Sequence, residues 1–262
     1  MNKKNWFVLL FCVLSFYAFS TDIVAHRGAS FDAPENTLAS FKLAWIFGAD
    51  AIEGDFYLTK DKKIVCIHDD TTKRTGNENL SIKNSTYQDL AKLDFSYKKE
   101  KKFYKQKLPL ISQVFATVPE GKKIFIEIKD NEEIIPYLIQ EINKSKLENS
   151  QIVIISFDRK VIKEFKKQFP QIKCYLLYNL RKLKKRNYQK LISILKDINA
   201  DGIDTSTTSY LNKSWIKHFH DAGFEYHIYT IDECFRIKKY INANADSITT
   251  NKVYVAKKAM RN

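Results

Sequence analysis

Two histidines in this chain each close an apolar run and are followed at once by a charged residue. Ile23 to Arg27 reads IVAHR, and Ile64 to Asp69 reads IVCIHD. Buried strands usually end in turn residues. Titratable groups placed there suit proton transfer near neutral pH, and His26 with His68 would supply a general base and a general acid. Glu53 and Asp55 stand two apart in AIEGDFYL, so in a strand both side chains point to the same side. Glu127 and Lys129 repeat that spacing in FIEIK. Inward carboxylates are costly unless neutralised. Glu53, Asp55 and Glu127 converging would make an oxygen-ligand site for one divalent cation, Ca²⁺ or Mg²⁺. For Glu127 with Lys129 alone, a structural salt bridge is the alternative. Arg27, a planar fork, and Lys129, a point charge, suit a phosphate. Together these groups point to metal-assisted phosphoryl transfer. Serine-nucleophile chemistry lacks a G-x-S-x-G, and Gly121-Lys122-Lys123 lacks the upstream glycine of a P-loop.

These residues need elements that bring them to one place. Short β-branched runs alternate with stretches of helical period. Strands are expected at Asp22–Ala25, Ala51–Tyr57 with Ile64–Ile67, Lys123–Ile128, Gln151–Ile155, Ile172–Leu177, Gly202–Asp204, Glu225–Tyr229 and Ser247–Thr249. Helices are expected at Glu35–Phe47, Leu110–Val118, Glu132–Lys144, Arg159–Phe169, Asn187–Ile198, Asn212–Ala222 and Glu233–Asn242. Such alternation implies a parallel sheet with right-handed crossovers. About eight strands in this length fit an α/β fold of the closed (β/α)8 TIM-barrel type, with a doubly wound open sheet as the alternative. In the barrel the candidate residues would all sit at the C-terminal ends of the strands, on one face. The polar stretch Asp69 to Leu108 is too long for an ordinary βα loop and reads as a short insertion after the second strand unit.

Of 262 residues, 44% are hydrophobic and only 7 are Gly and 5 Pro, a globular composition. Residues 1–20 read as a signal peptide. Lys3 and Lys4 form its basic start, Trp6 to Phe19 its apolar stretch, and Ala18-Phe19-Ser20 its cleavage site. The exported domain would then be residues 21–262, periplasmic or secreted. An uncleaved anchor is the alternative, although the apolar run is shorter than the ~20 residues of a spanning helix. Cys12 lacks the small residue before it that a lipoprotein needs. The net charge of +14 favours anions and membrane surfaces by long-range steering. No zinc-finger, RNP or helix-turn-helix pattern supports a nucleic-acid partner. Cys66 and Cys174 lie in strand-like runs as core residues, and the cysteines do not make a disulfide framework.

AHRG, PENT, GADAIEGDFYLTKD, KIVCIHDDTTKRT, LPLISQVF, IFIEIK, ISFD, AGFEYHIYTID and ADSITTN follow one another along the chain. In that order they resemble the glycerophosphodiester phosphodiesterase family, over essentially all of the chain after the leader. The resemblance implies a (β/α)8 barrel that hydrolyses glycerophosphodiesters to sn-glycerol 3-phosphate and an alcohol with a divalent metal. It implies metal ligation by Glu53, Asp55 and Glu127, acid/base roles for His26 and His68, and phosphate contacts from Arg27 and Lys129. Exported bacterial members often use Ca²⁺, but the ligand set does not choose between Ca²⁺ and Mg²⁺. Two segments depart from the family pattern. Tyr229 stands where VWTVN has a tryptophan that walls the pocket, and no proline follows Thr250-Asn251. Pro34-Glu35-Asn36-Thr37 is expected to open the first helix, with Glu35 at the positive end of its dipole and Asn36 reaching the site. Three rival readings stand beside this one. They are a lysophospholipase D-type enzyme, a phosphatidylinositol-type phospholipase C barrel and a non-catalytic basic envelope protein that binds lipid or anions.

Overall fold

The computed structural model describes residues 20–96, 103–183 and 187–261, so all of the expected leader but Ser20 lies outside the described residues. Eight parallel strands close a barrel: β1 (Asp22–Ala25), β2 (Ala51–Leu58), β4 (Lys123–Ile128), β5 (Ile152–Ser156), β6 (Lys173–Tyr178), β7 (Gly202–Thr205), β8 (Glu225–Ile228) and β9 (Ser247–Thr250). β1 pairs with both β2 and β9, which closes the ring and rules out the open sheet. β3 (Ile64–Cys66) runs antiparallel on the far part of β2. The strands lie within a residue or so of the positions that their β-branched runs indicate.

Alternation along each strand builds two apolar layers. Ile52, Phe56, Ile124, Ile126, Ile154, Leu176 and Ile203 point outward into the large core under the helices. Val24, Ala51, Phe125, Val153, Ile155, Tyr175 and Leu177 point inward and fill the lower barrel. Strands buried on both faces read as near-continuous apolar runs, which is why these segments are legible in the sequence. The inward positions toward the C-terminal end of β2 and β4 are Glu53, Asp55 and Glu127.

The covering helices are α1 (Leu38–Ile46), α3 (Ile111–Phe115), α4 (Ile135–Lys144), α5 (Arg159–Gln168), α6 (Tyr188–Asp197), α7 (Lys213–Asp221) and α8 (Cys234–Asn242). Among the described residues, two further α-helices were not expected. One is α2 (Tyr87–Leu90), inside the insertion, and the other is α9 (Val253–Arg261), whose buried Val253, Ala256 and Ala259 pack on the barrel. α1 starts later than expected. Thr37 is its N-cap, in a capping box with Ser40, so Pro34, Glu35 and Asn36 precede the helix. The insertion has its own small core of Val65, Ile67, Ile82, Leu90, Leu93, Phe95 and Leu108 against β3. No helix among the described residues is long and apolar enough to cross a membrane.

At the bottom of the barrel Asp50 ties three elements together. Its carboxylate accepts from the Ile23 N–H at 3.0 Å and pairs with Lys257 at 2.8 Å and Lys122 at 3.3 Å. Burial would raise this carboxyl, but the Ile23 N–H and the Lys257 ammonium outweigh it and hold it below the ordinary value. A depressed folded value means that the stabilisation is present above the unfolded value, about 4, and is lost as pH falls through the folded one. Asp50→Asn should cost about 1–3 kcal/mol in urea unfolding at pH 7. The gap to wild type should narrow as pH drops below about 4. A gap that stays constant down to pH 2 would show that the charge plays no part.

Candidate active site

The β1–α1 connection is held in a shape that few sequences allow. Arg27, Gly28 and Asn36 all have left-handed backbones, with φ of 55°, 76° and 56°. The Arg27 carbonyl accepts from the Asn36 N–H at 3.0 Å and the Ser40 hydroxyl at 2.9 Å. Gly28 leaves no room for a side chain, because a Cβ there would lie 2.6 Å from the Ser40 carbonyl carbon. Left-handed non-glycine residues store strain and mark places that surrounding contacts over-determine. Here the loop aims Arg27 and Asn36 at the inward carboxylates.

Glu53, Asp55 and Glu127 each offer an oxygen within 4.8 Å of the others, and all three are buried. The Arg27 N–H donates to Glu53 at 2.8 Å, and the Arg27 Nε lies 3.2 Å from Asp55. Lys129 reaches Glu127 at 2.9 Å and Asp55 at 3.6 Å. Asn36 donates to Asp55 at 2.8 Å and accepts from the Asp55 N–H at 3.3 Å. Burial, then Asp55 and Glu127, push the Glu53 carboxyl well above its usual range. Burial, then Asp55, push Glu127 up to about 7. Burial also acts against the Asp55 charge, but Arg27 and Lys129 overcome it and keep that carboxyl low. Glu53 Oε1 and Asp55 Oδ1 are buried without a hydrogen-bond partner. Three buried carboxylates with two orphaned oxygens suit a hard divalent cation, which would supply the missing positive charge.

The two histidines are held in different ways. His26 Nδ1 lies 2.7 Å from Asn251 Oδ1, while Asn251 Nδ2 donates to Asp232 at 2.8 Å. That orientation makes Asn251 Oδ1 an acceptor, so His26 carries its proton on Nδ1 and leaves the Nε2 lone pair free. Burial, then Arg27, lower the His26 pKa. His68 Nδ1 instead meets the Asp69 carboxylate at 2.6 Å. Arg74 clamps Asp69 at 2.7 Å and takes both oxygens of Glu35 at 2.7 and 2.8 Å. Glu35 also pairs with Arg27 at 3.0 Å. It is therefore a bridge between two arginines, not the helix-dipole residue that the sequence suggests. This chain of ion pairs ties the insertion to the first loop.

A cavity of about 180 Å³ gathers His26, Arg27, Glu53, His68, Glu127 and Lys129. Its apolar wall includes Ile155, Leu177, Phe157 and Tyr229. Phe157 meets Tyr229 edge to face, with ring centres 6.1 Å apart. Asp55 and Asn36 stand behind this lining. All nine residues singled out in the sequence therefore belong to one neighbourhood. Sequence reasoning missed Asp204 and Thr249, which also line the cavity, and the supporting roles of Asp232, Asp69 and Arg74. The inward register of GIDT, with an acid at a core position, was the available signal for Asp204.

The profile of the glycerophosphoryl diester phosphodiesterase family matches residues 26–255. A glycerophosphodiester phosphodiesterase of Caldanaerobacter subterraneus subsp. tengcongensis is 38% identical over 164 residues, 60% of this chain and 67% of that protein. This chain thus spans about two thirds of that relative. One from Bacillus subtilis is 25% identical over 244 residues, 87% of this chain and 82% of that protein. A phosphodiesterase from Oleispira antarctica, solved with its product sn-glycerol 3-phosphate, has the same fold. Its TM-score is 0.83 at 22% identity, over 94% of this chain and 99% of that one.

Replacing one acid of the triangle should separate charge repulsion from ordinary packing. In chelator, Glu53→Gln should melt no lower than wild type, since it relieves like-charge crowding. A cation at about 100 times its Kd should raise the wild-type Tm by roughly 5–10 °C and leave the variant almost unmoved. A chelated variant melting far below wild type would show that crowding is not what the substitution relieves, and a cation that shifts both proteins equally would mean that the triangle is not a cation site.

Proposed function

Since this chain belongs to the glycerophosphoryl diester phosphodiesterase family, we propose that it hydrolyses glycerophosphodiesters to sn-glycerol 3-phosphate and an alcohol. The observation that carries this reading is one cavity lined by two differently held histidines, a lysine and two acids of the carboxylate triangle, whose third acid, Asp55, stands just behind. The leader-like sequence of residues 1–20 supports export to the periplasm or beyond.

Glu53, Asp55 and Glu127 would hold the divalent cation, Ca²⁺ or Mg²⁺. When bound, it would polarise the phosphate and lower the pKa of the attacking hydroxyl, whether water or the substrate's own 2-hydroxyl. The remaining work falls to the chain itself. Lys129 and the Arg27 guanidinium offset the phosphate charge. His26, neutral and with Nε2 free, takes the proton of the attacking hydroxyl. His68, whose ring the Asp69 carboxylate holds through Nδ1, protonates the leaving alkoxide. Phe157 and Tyr229 wall off the alcohol side.

That aromatic and aliphatic wall also favours a second reading, a lysophospholipase D-type reaction in which the acyl chain lies along Phe157, which is 51% exposed. Release of sn-glycerol 3-phosphate from glycerophosphocholine and glycerophosphoethanolamine, against release of choline from lysophosphatidylcholine, separates the two. Turnover should stop with chelator and return with Ca²⁺ or Mg²⁺. His26→Ala and His68→Ala should each lower kcat by ~10²-fold or more. Near-normal turnover in either variant would remove that histidine from the proton-transfer steps.

A further inference from the structure

The lower end of the cavity contains two polar groups that the proposed chemistry does not use. Asp204, from β7, and Thr249, from β9, both line it and are 1% and 2% exposed. Asp204 Oδ1 and Thr249 Oγ1 are each buried with no hydrogen-bond partner. The wall around them is apolar, made of Ile155 and Leu177. The His227 ring on the next strand and the Thr205 N–H act on the Asp204 carboxyl, but its Oδ1 stays unpaired, and native chains usually satisfy every buried polar atom. Both orphaned atoms belong to residues that face the same cavity as the carboxylate triangle. Their partner is therefore to be sought in what enters that cavity.

The chemistry narrows the partner. A carboxyl and a hydroxyl together match an alcohol, which both donates and accepts. The match holds in either charge state of Asp204, because an alcohol can donate to a carboxylate or accept from a carboxylic acid. A phosphate is matched by Arg27 and Lys129 in the same cavity, and an ionised Asp204 would repel it. A bulky cationic head group suits the more open side, beside exposed Phe157, better than this enclosed floor.

We propose that Asp204 and Thr249 form a hydroxyl-reading floor that binds the glycerol hydroxyls of the substrate, so that the glycerol half lies deep and the other alcohol lies against Phe157 and Tyr229. This assignment rests on the phosphodiesterase reading and extends it to orientation and selectivity. Asp204 is a specificity residue, and the acid/base and cation-binding groups remain as described above.

The test is calorimetric binding of sn-glycerol 3-phosphate, n-propyl phosphate and phosphocholine, with Ca²⁺ or Mg²⁺ present, to wild type, Asp204→Leu, Asp204→Asn and Thr249→Val. n-Propyl phosphate keeps the phosphate and the three-carbon chain and lacks the hydroxyls. Wild type should prefer sn-glycerol 3-phosphate by ten- to hundredfold, the effect of one or two buried hydrogen bonds. Asp204→Leu should erase that preference with n-propyl phosphate affinity unchanged, and Thr249→Val should reduce it. Asp204→Asn, which can still pair with a hydroxyl and is the variant least prone to misfold, should keep part of it. The proposal fails if wild type shows no preference or if Asp204→Leu retains it. It also fails if only phosphocholine binding drops, which would make Asp204 an ammonium site. Turnover of glycerophosphocholine by wild type, measured alongside, distinguishes these failures from failure of the phosphodiesterase reading itself.

Discussion

Three carboxylates gathered inside a barrel repel one another, and much of the upper barrel is arranged around that repulsion. Glu53, Asp55 and Glu127 lie on adjacent strands in parallel register, so the sheet itself forces them together. Arg27 and Lys129 supply only part of the compensation. Asp55 receives most of it, from Arg27, Lys129 and Asn36, and stays charged, whereas Glu53 and Glu127 are pushed up. One charged acid beside two reluctant ones, with orphaned oxygens, is compatible with a bound divalent cation.

The same requirement explains the strained first loop. Arg27 must leave the end of β1, return its guanidinium toward Asp55 and still give its own N–H to Glu53. A left-handed backbone at Arg27, followed by Gly28 where a Cβ would strike Ser40, achieves this. Asn36, also left-handed, closes the loop from the other end by binding Asp55 through both its side-chain groups. The buried Cys66 thiol donates to the same Asn36 oxygen at 3.2 Å, so β3 contributes to the alignment. Outside this ring, the arginine–glutamate–aspartate chain through Arg74 connects Arg27 to His68. The position of one histidine is thereby linked to the loop that follows the other. Networks of this kind hold geometry more firmly than isolated surface pairs.

Much of the architecture was legible in the amino-acid order because a closed parallel barrel buries its strands on both faces. IVA, KIFIEI, QIVIIS and KCYLLY are therefore nearly unbroken apolar runs. A charged residue inside such a run, or a histidine at its end, stands out against that background. This is how His26, Glu53, Asp55, His68, Glu127 and Lys129 could be selected. α9 was missed because its inward residues, Val253, Ala256 and Ala259, are small, and exposed Tyr254 and Val255 beside them blur the helical period. The start of α1 was misplaced because Pro34-Glu35 imitates a helix opening, whereas Thr37 with Ser40 makes the actual cap.

Sequence alone determined where the strands lie along the chain, the alternation that turns the acids inward, and the residue types available for the chemistry. These are local properties, set by side-chain period and by the cost of burying charge. Which groups touch was decided by tertiary structure. Glu35 bridges Arg27 and Arg74 across 39 residues, and Asn251 reaches His26 across 225. Asp204 and Thr249 face one cavity from strands that are not neighbours. Contacts of this range depend on barrel closure, which brings the first and last strands side by side. No pattern along the chain encodes the distance between two strand ends until that closure sets it.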